Sequence, residues 1–268
     1  MSDLYVEMII NKINNSTITI EPYPHIKIDN FLEETFKNNI ILPDYDDIDD
    51  NVYFQDSKKS KKSIVDNSKD NSNYLKLLKN NEHFKMFNDI FKNDNRIFDT
   101  LIQKFGEHLS KNLSINIDDA NISTSLNYSV SIPGYLKEIH VDRREHLLNI
   151  LYYLNDCDDS AQLELWKEKN VKEANDVFPK RSDMIISKNY YIKQNSAIIM
   201  INLPWSYHSV SIQSEQFLNR KYIYVVWDYE KNSRVINDKN NESVIWKKKV
   251  YVEDETRRNN FLNNEKNK

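Results

Sequence analysis

The period of the hydrophobic positions changes twice along this chain and divides it into three stretches. In the first, residues 1–20 alternate weakly, and Thr17-Ile18-Thr19-Ile20, β-branched throughout, predicts an opening strand. His25, Lys27 and Asp29 then alternate with Ile26 and Ile28 after Pro22 and Pro24, the pattern of a half-buried strand. Asp29 or Asn30 can cap a helix reaching about Lys37, with Glu33 and Glu34 in the first turn, where the helix dipole favours carboxylates. From 44 to 73 the chain is acidic and then rich in Ser, Lys, Asp and Asn. Val52-Tyr53-Phe54 is its only apolar anchor, so it predicts a long surface loop of the kind that serves as a lid or insertion.

In the second stretch the period is helical. Tyr74, Leu75, Leu77, Leu78, Phe84, Phe87, Ile90 and Phe91 predict one helix over 74–92, and Ile97, Leu101, Ile102, Phe105 and Leu109 a second over 95–112. After Ile115 the period falls to two. Strands are expected at 123–130, at Glu138-Ile139-His140-Val141-Asp142 following the turn permitted by Gly134, and at the dense apolar run 147–154. Further strands are expected at 162–166, 184–186, 196–201 and 222–227, with a polar loop over 167–183. Many short strands without helices between them predict a mainly β fold with flanking helices, an antiparallel sandwich or jelly roll. Residues 1–120 form the strand and helical support region of the same domain, 121–232 the jelly-roll core and 233–268 a polar extension with apolar patches at 244–246 and 250–252.

Composition narrows the function classes. A net charge of −4 gives no electrostatic case for nucleic acid or an anionic membrane as partner, and the Lys clusters at 58–62 and 247–249 read as solvated faces. Cys157 is the sole cysteine, which excludes an internal disulfide and a multi-cysteine zinc site. No apolar run approaches the roughly 18 residues of a membrane span, and no basic-then-apolar leader opens the chain, so a cytoplasmic protein is expected.

The chemistry concentrates in three residues. On a strand, His140 and Asp142 point to the same face, so one imidazole and one carboxylate reach one ion together. His208, shortly after the apolar run 197–201, supplies a second imidazole, and two imidazoles with one carboxylate make the facial triad of non-haem Fe(II). His146 lies too near the first pair to replace His208 comfortably and is the reserve ligand. His25, His83 and His108 read as structural. Arg143 and Arg144 stand at the rim, where an exposed-loop role outweighs contact with an acidic substrate.

Residues 122–229 resemble the Fe(II)- and 2-oxoglutarate-dependent dioxygenases, especially their prolyl-hydroxylase-like branch. The likeness is carried by Gly134-Tyr135-Leu136 before His140-Val141-Asp142, then Leu151-Tyr152-Tyr153-Leu154-Asn155 and Leu163-Glu164-Leu165-Trp166. Trp205-Ser206-Tyr207-His208-Ser209-Val210 and Arg220 leading a strand complete it, and 22–32 looks like the family's opening strand and helix. The resemblance implies a double-stranded β-helix with His140, Asp142 and His208 as iron ligands. It also implies 2-oxoglutarate as co-substrate, dioxygen as oxidant and ascorbate as a candidate reductant. Arg220 would meet the distal carboxylate of 2-oxoglutarate, with Tyr153 and Tyr128 as co-substrate contacts. The activity implied is hydroxylation of a protein, peptide or small-molecule substrate, with a prolyl residue as first candidate. A cupin-like, non-enzymatic metal- or ligand-binding jelly roll is the alternative. One departure stands out: where the family has two glycines before the Leu-Glu-Leu-like strand, this chain has Ala161-Gln162.

Overall fold

The structure, a computed structural model, describes residues 2–49, 53–54, 60–66, 71–112, 121–143, 145–157, 160–170, 178–203, 205–214 and 219–229. The tail after 229, with the expected apolar patches at 244–246 and 250–252 and the Lys cluster at 247–249, lies outside the described residues.

Two antiparallel sheets carry the fold. Eight strands build its centre: β4 (Ile122–Ser131), β5 (Lys137–His140), β6 (His146–Tyr153), β7 (Leu163–Glu168), β8 (Met184–Tyr190), β9 (Ser196–Ile201), β10 (His208–Val210) and β11 (Arg220–Tyr229). They are dealt between the sheets as β9-β6-β11-β4 in one and β5-β10-β7-β8 in the other. Apart from β8, which pairs with β7, each strand thus pairs with one distant in sequence, the connection of a jelly roll. The first of these sheets is widened to seven strands by β1 (His25–Ile28) beside β9 and by β3 (Lys61–Val65) and β2 (Tyr53–Phe54) beyond β4.

The outer face of the large sheet packs on helices α4 (Glu82–Lys92) and α5 (Arg96–Asn112), against which α1 (Ser2–Asn15) lies. Phe87 stacks on Tyr152, and Phe91 and Phe98 meet Trp227, at ring separations of 5.6, 6.2 and 5.9 Å. The inner face is polar in its lower rows. In an antiparallel pair, directly opposed residues share a face. The register therefore sets His25, Met200, Asn149, Val226 and Ser125 in one inward row, and Arg220, Ser131 and Lys61 in another.

The structure departs from the sequence expectations at several places. Residues 2–15 form a helix, with Val6, Ile9 and Ile13 buried at helical spacing, and 17–20 contributes only an isolated bridge between Thr19 and His25. The helix expected after Asn30 is shorter: α2 (Glu34–Asn38) is capped by Glu33, whose carboxylate accepts from the Phe36 amide at 3.0 Å. The helix expected over 74–92 breaks at Asn81. Its extended backbone ends α3 (Ser72–Asn80), and its side chain caps α4 by accepting from the Phe84 amide at 2.6 Å. The stretch 44–73 supplies β2 and β3 to the large sheet, and Lys61 and Lys62, expected on a solvated face, are 4% and 6% exposed. Their long apolar stems let a lysine pair stand in a strand that hydropathy alone reads as loop.

Candidate metal centre

His140 closes β5 and His208 opens β10. These strands pair with the two histidines directly opposed, and the rings lie 4.3 Å apart between centroids. Asp142 sits two residues past the end of β5 rather than within it, and its carboxylate turns back toward both imidazoles. Its Oδ1 lies 3.6 Å from His140 Nε2 and its Oδ2 lies 3.7 Å from His208 Nε2. One donor atom from each of the three residues falls within 4.8 Å of the others.

The backbone decides which nitrogens face inward. His140 Nδ1 is 2.8 Å from the Glu138 carbonyl and His208 Nδ1 is 3.0 Å from the Ser206 carbonyl. A carbonyl only accepts, so both Nδ1 atoms carry the proton, and both Nε2 lone pairs point at the cluster. Burial, then His208 and Lys137, pushes His140 down to about 3, so its imidazole is neutral. Burial works against ionisation of Asp142, yet His208 and then His140 outweigh it and hold the carboxyl well below its usual range. Two imidazoles and a carboxylate are the donor set of a divalent transition metal. Donors ~2.1 Å from an ion in adjacent positions lie about 3 Å apart, so each Asp142 oxygen is within about 1 Å of that spacing from the imidazole it faces.

Two residues that the sequence reading missed orient the carboxylate. Tyr224 Oη donates to Asp142 Oδ2 at 2.9 Å, and Asn149 Nδ2 donates to the same oxygen at 3.2 Å. Burial, then Asp142 itself, keeps the Tyr224 phenol protonated by pushing its pKa well above the ordinary value. The signal for Tyr224 was the period of two: Arg220, Tyr222 and Tyr224 share one face of β11.

Behind this cluster the same face leads to Arg220, 1% exposed, over the rings of Tyr222 and Tyr153 at 4.5 and 5.4 Å. Its Nε and the Tyr153 hydroxyl are buried with no hydrogen-bond partner, and among the described residues no carboxylate pairs with the guanidinium. Burial raises the Tyr153 phenol to about 12, with the Arg220 charge opposing it. A buried guanidinium without an anion is costly, and so is an idle buried hydroxyl. Both are the groups a carboxylate ligand would satisfy.

Tyr128 is not part of this pocket. It opposes Ile223 and Ile64, which sets it on the outer face of the sheet, and its hydroxyl donates to the Pro43 carbonyl at 2.5 Å. The expectation misjudged the face by one residue, which on a strand inverts it; Ser129, opposed to Tyr222, is the inward neighbour. His146 is engaged elsewhere, its Nδ1 hydrogen-bonded to Asp228 across β6 and β11. Arg143 is exposed in the turn after Asp142, and Arg144 lies outside the described residues. Ala161, where the resemblance expects a glycine, keeps a left-handed backbone at φ 54°.

No protein-family model matches the chain, and no curated protein matches it. Solved structures do. One is a prolyl-4-hydroxylase of Pseudomonas putida, 9% identical, with a TM-score of 0.42 over 84% of this chain and 99% of that one. Another is a prolyl hydroxylase from Trichoplax adhaerens, solved with a hypoxia inducible factor oxygen degradation domain peptide fragment. It is 14% identical, with a TM-score of 0.42 over 89% and 94%. HygX from Streptomyces hygroscopicus, solved with nickel and 2-oxoglutarate bound, is 9% identical, with a TM-score of 0.44 over 76% and 82%. The likeness is to prolyl hydroxylases and other 2-oxoglutarate oxygenases. With TM-scores below 0.5 it carries no weight for the chemistry, which is drawn from the side chains alone. Among the described residues no helix is long and apolar enough to cross a membrane.

Proposed function

We propose that this protein is a non-haem Fe(II) oxygenase that uses 2-oxoglutarate to hydroxylate a C–H bond of its substrate. The observation that carries this reading is the convergence of His140, Asp142 and His208, with both imidazoles turned Nε2-inward by backbone carbonyls. The two imidazoles and the carboxylate would hold the metal on one side and leave adjacent positions open for co-substrate and dioxygen. Bound Fe(II) and 2-oxoglutarate supply the oxidising chemistry, in which dioxygen is consumed, 2-oxoglutarate loses carbon dioxide to give succinate, and the C–H bond becomes C–OH.

The chain's own part is placement. Tyr224 and Asn149 fix the Asp142 carboxylate so that each oxygen faces one imidazole. Arg220 offers a rigid fork of donors to a distal carboxylate, and Tyr153 adds an unused hydroxyl beside it. Four residue steps lead from Tyr224 to Arg220, about 13 Å of β11, and the Arg220 side chain reaches back over Tyr222. That interval suits a short dicarboxylate lying between the metal ligands and the guanidinium. Burial of this face excludes water from the reaction. A prolyl peptide is the first substrate to assay, and ascorbate the reductant to supply.

The test is succinate formation from 2-oxoglutarate by anaerobically purified protein given Fe(II), ascorbate and oxygen, beside His208→Ala. Iron-dependent turnover that the variant lacks is the expected result. Absence of turnover, together with no 2-oxoglutarate binding to the metal-loaded protein, would overturn the reading in favour of a non-enzymatic metal-binding jelly roll.

A further inference from the structure

Arg220 is not the only buried cation on the inner face of the large sheet. In the register, Lys61 of β3 opposes Ser131 of β4, which opposes Arg220 of β11, so the three share one inward row. Two strand spacings, about 10 Å, separate the Lys61 and Arg220 backbones, and both long side chains bend toward the same ring. Lys61 Nζ lies 5.1 Å and Arg220 Cζ 4.5 Å from the centre of Tyr222, and Lys61 is also 5.9 Å from the centre of Tyr135. Burial alone would raise the Tyr222 phenol, yet the charges of Lys61 and then Arg220, with a hydrogen bond from Lys61 to its hydroxyl, bring it below its ordinary value. Two positive charges therefore converge, out of water, on one cluster of tyrosines.

Ring faces and a phenol oxygen offset only part of the cost of burying such charges without an anion, and like charges held close repel. An anion entering between them relieves both. Lys62, next in sequence, takes no part in this cluster. It sits on the opposite face, donates to the Ile48 carbonyl at 2.6 Å and covers the Tyr45 ring at 4.5 Å.

We propose that Lys61 is a second cationic contact for the distal carboxylate of the co-substrate, acting beside Arg220 to set the pocket's preference for a dicarboxylic over a monocarboxylic 2-oxo acid. Resting on the oxygenase reading, this adds a residue from the N-terminal strands to a pocket otherwise built by the jelly-roll core. Arg220 contributes a planar fork and Lys61 a mobile point charge, so a carboxylate can take both without competition for one oxygen.

The experiment titrates 2-oxoglutarate and 2-oxovalerate, which replaces the distal carboxylate with a methyl group, into full-length protein loaded with Mn(II), read by calorimetry. Lys61→Met is expected to weaken 2-oxoglutarate binding about tenfold or more, as loss of a charge-assisted hydrogen bond does. It leaves 2-oxovalerate unchanged, while Lys61→Arg retains most of the preference and Lys62→Met all of it. Thermal melts establish that each variant is folded, and Lys61→Gln replaces the Met variant if that one is not. Wild-type discrimination that persists in the neutral variant but vanishes in Arg220→Met would overturn the role of Lys61 alone. A wild-type protein that binds both acids equally would overturn Lys61 and the co-substrate reading together.

Discussion

Two buried histidine sites stand between the same two sheets and differ in what the second ring nitrogen meets. His25, on β1, sets its Nδ1 2.7 Å from the Tyr23 carbonyl, and its Nε2 is 2.6 Å from the hydroxyl of Tyr190 on β8. His140 and His208 make the same Nδ1 contact to the carbonyl two residues earlier. Their Nε2 atoms face a carboxylate at 3.6 and 3.7 Å, beyond hydrogen-bond reach. In all three the backbone fixes the tautomer. A phenol then closes the His25 site, whereas the spacing around Asp142 leaves lone pairs and a negative charge converging on a common point. A buried imidazole becomes a ligand through its opposite number, not through its own local geometry.

The strongest way to break this contrast is to remove the carboxylate. Asp142→Asn keeps the shape and hydrogen-bonding outline but removes the charge. It is expected to reduce Fe(II) retained after desalting to background, while His25→Ala leaves the metal stoichiometry intact. Metal analysis of the two proteins checks both halves, and loss of metal in His25→Ala would erase the distinction. A smaller effect should come from the groups that aim Asp142. Tyr224→Phe removes the 2.9 Å donor to Oδ2 without opening a cavity, and removal of such outer partners costs roughly 10- to 100-fold in metal affinity. Competition against a chelator measures it, and an unchanged affinity would mean that Asn149 alone orients the carboxylate.

The sequence made the centre legible because its three residues lie on or beside strands whose order and spacing could be read, His140 and His208 being directly opposed in the register. What escaped it has specific physical causes. Asn149 and Tyr224 look like ordinary strand residues, and only the inward row beginning at Arg220 reveals the latter. The resemblance implies Tyr128 by its strand and not by its face; the register with Ile223 puts it outside. Lys61 and Ser63 alternate with Lys62 and Ile64, so polar residues stand on both faces of β3 and no hydrophobic alternation signals a strand. The first helix was hidden because its three buried positions, Val6, Ile9 and Ile13, are all β-branched and favour a strand reading. Asn81 breaks one apolar periodicity into two helices through a side-chain cap, which periodicity does not register.

The smallest expected effect sharpens the contrast from the His25 side. Burial lowers the pKa of His25, the largest of its influences, so the folded protein binds a proton there less readily than the unfolded chain does. The stability this site contributes is therefore complete above the unfolded value of about 6.5 and falls away as the pH drops below it. One unit lower, at about pH 5.5, the loss from a single such histidine is at most about 1.4 kcal/mol. His25→Asn cannot take up that proton, so its denaturant midpoint should fall less between pH 7 and pH 5.5 than that of the unsubstituted protein, although it begins lower at pH 7. The slope of the transition must stay constant for the comparison to hold. Parallel pH dependence in the two proteins would mean that the imidazole paired to Tyr190 charges without opening the site.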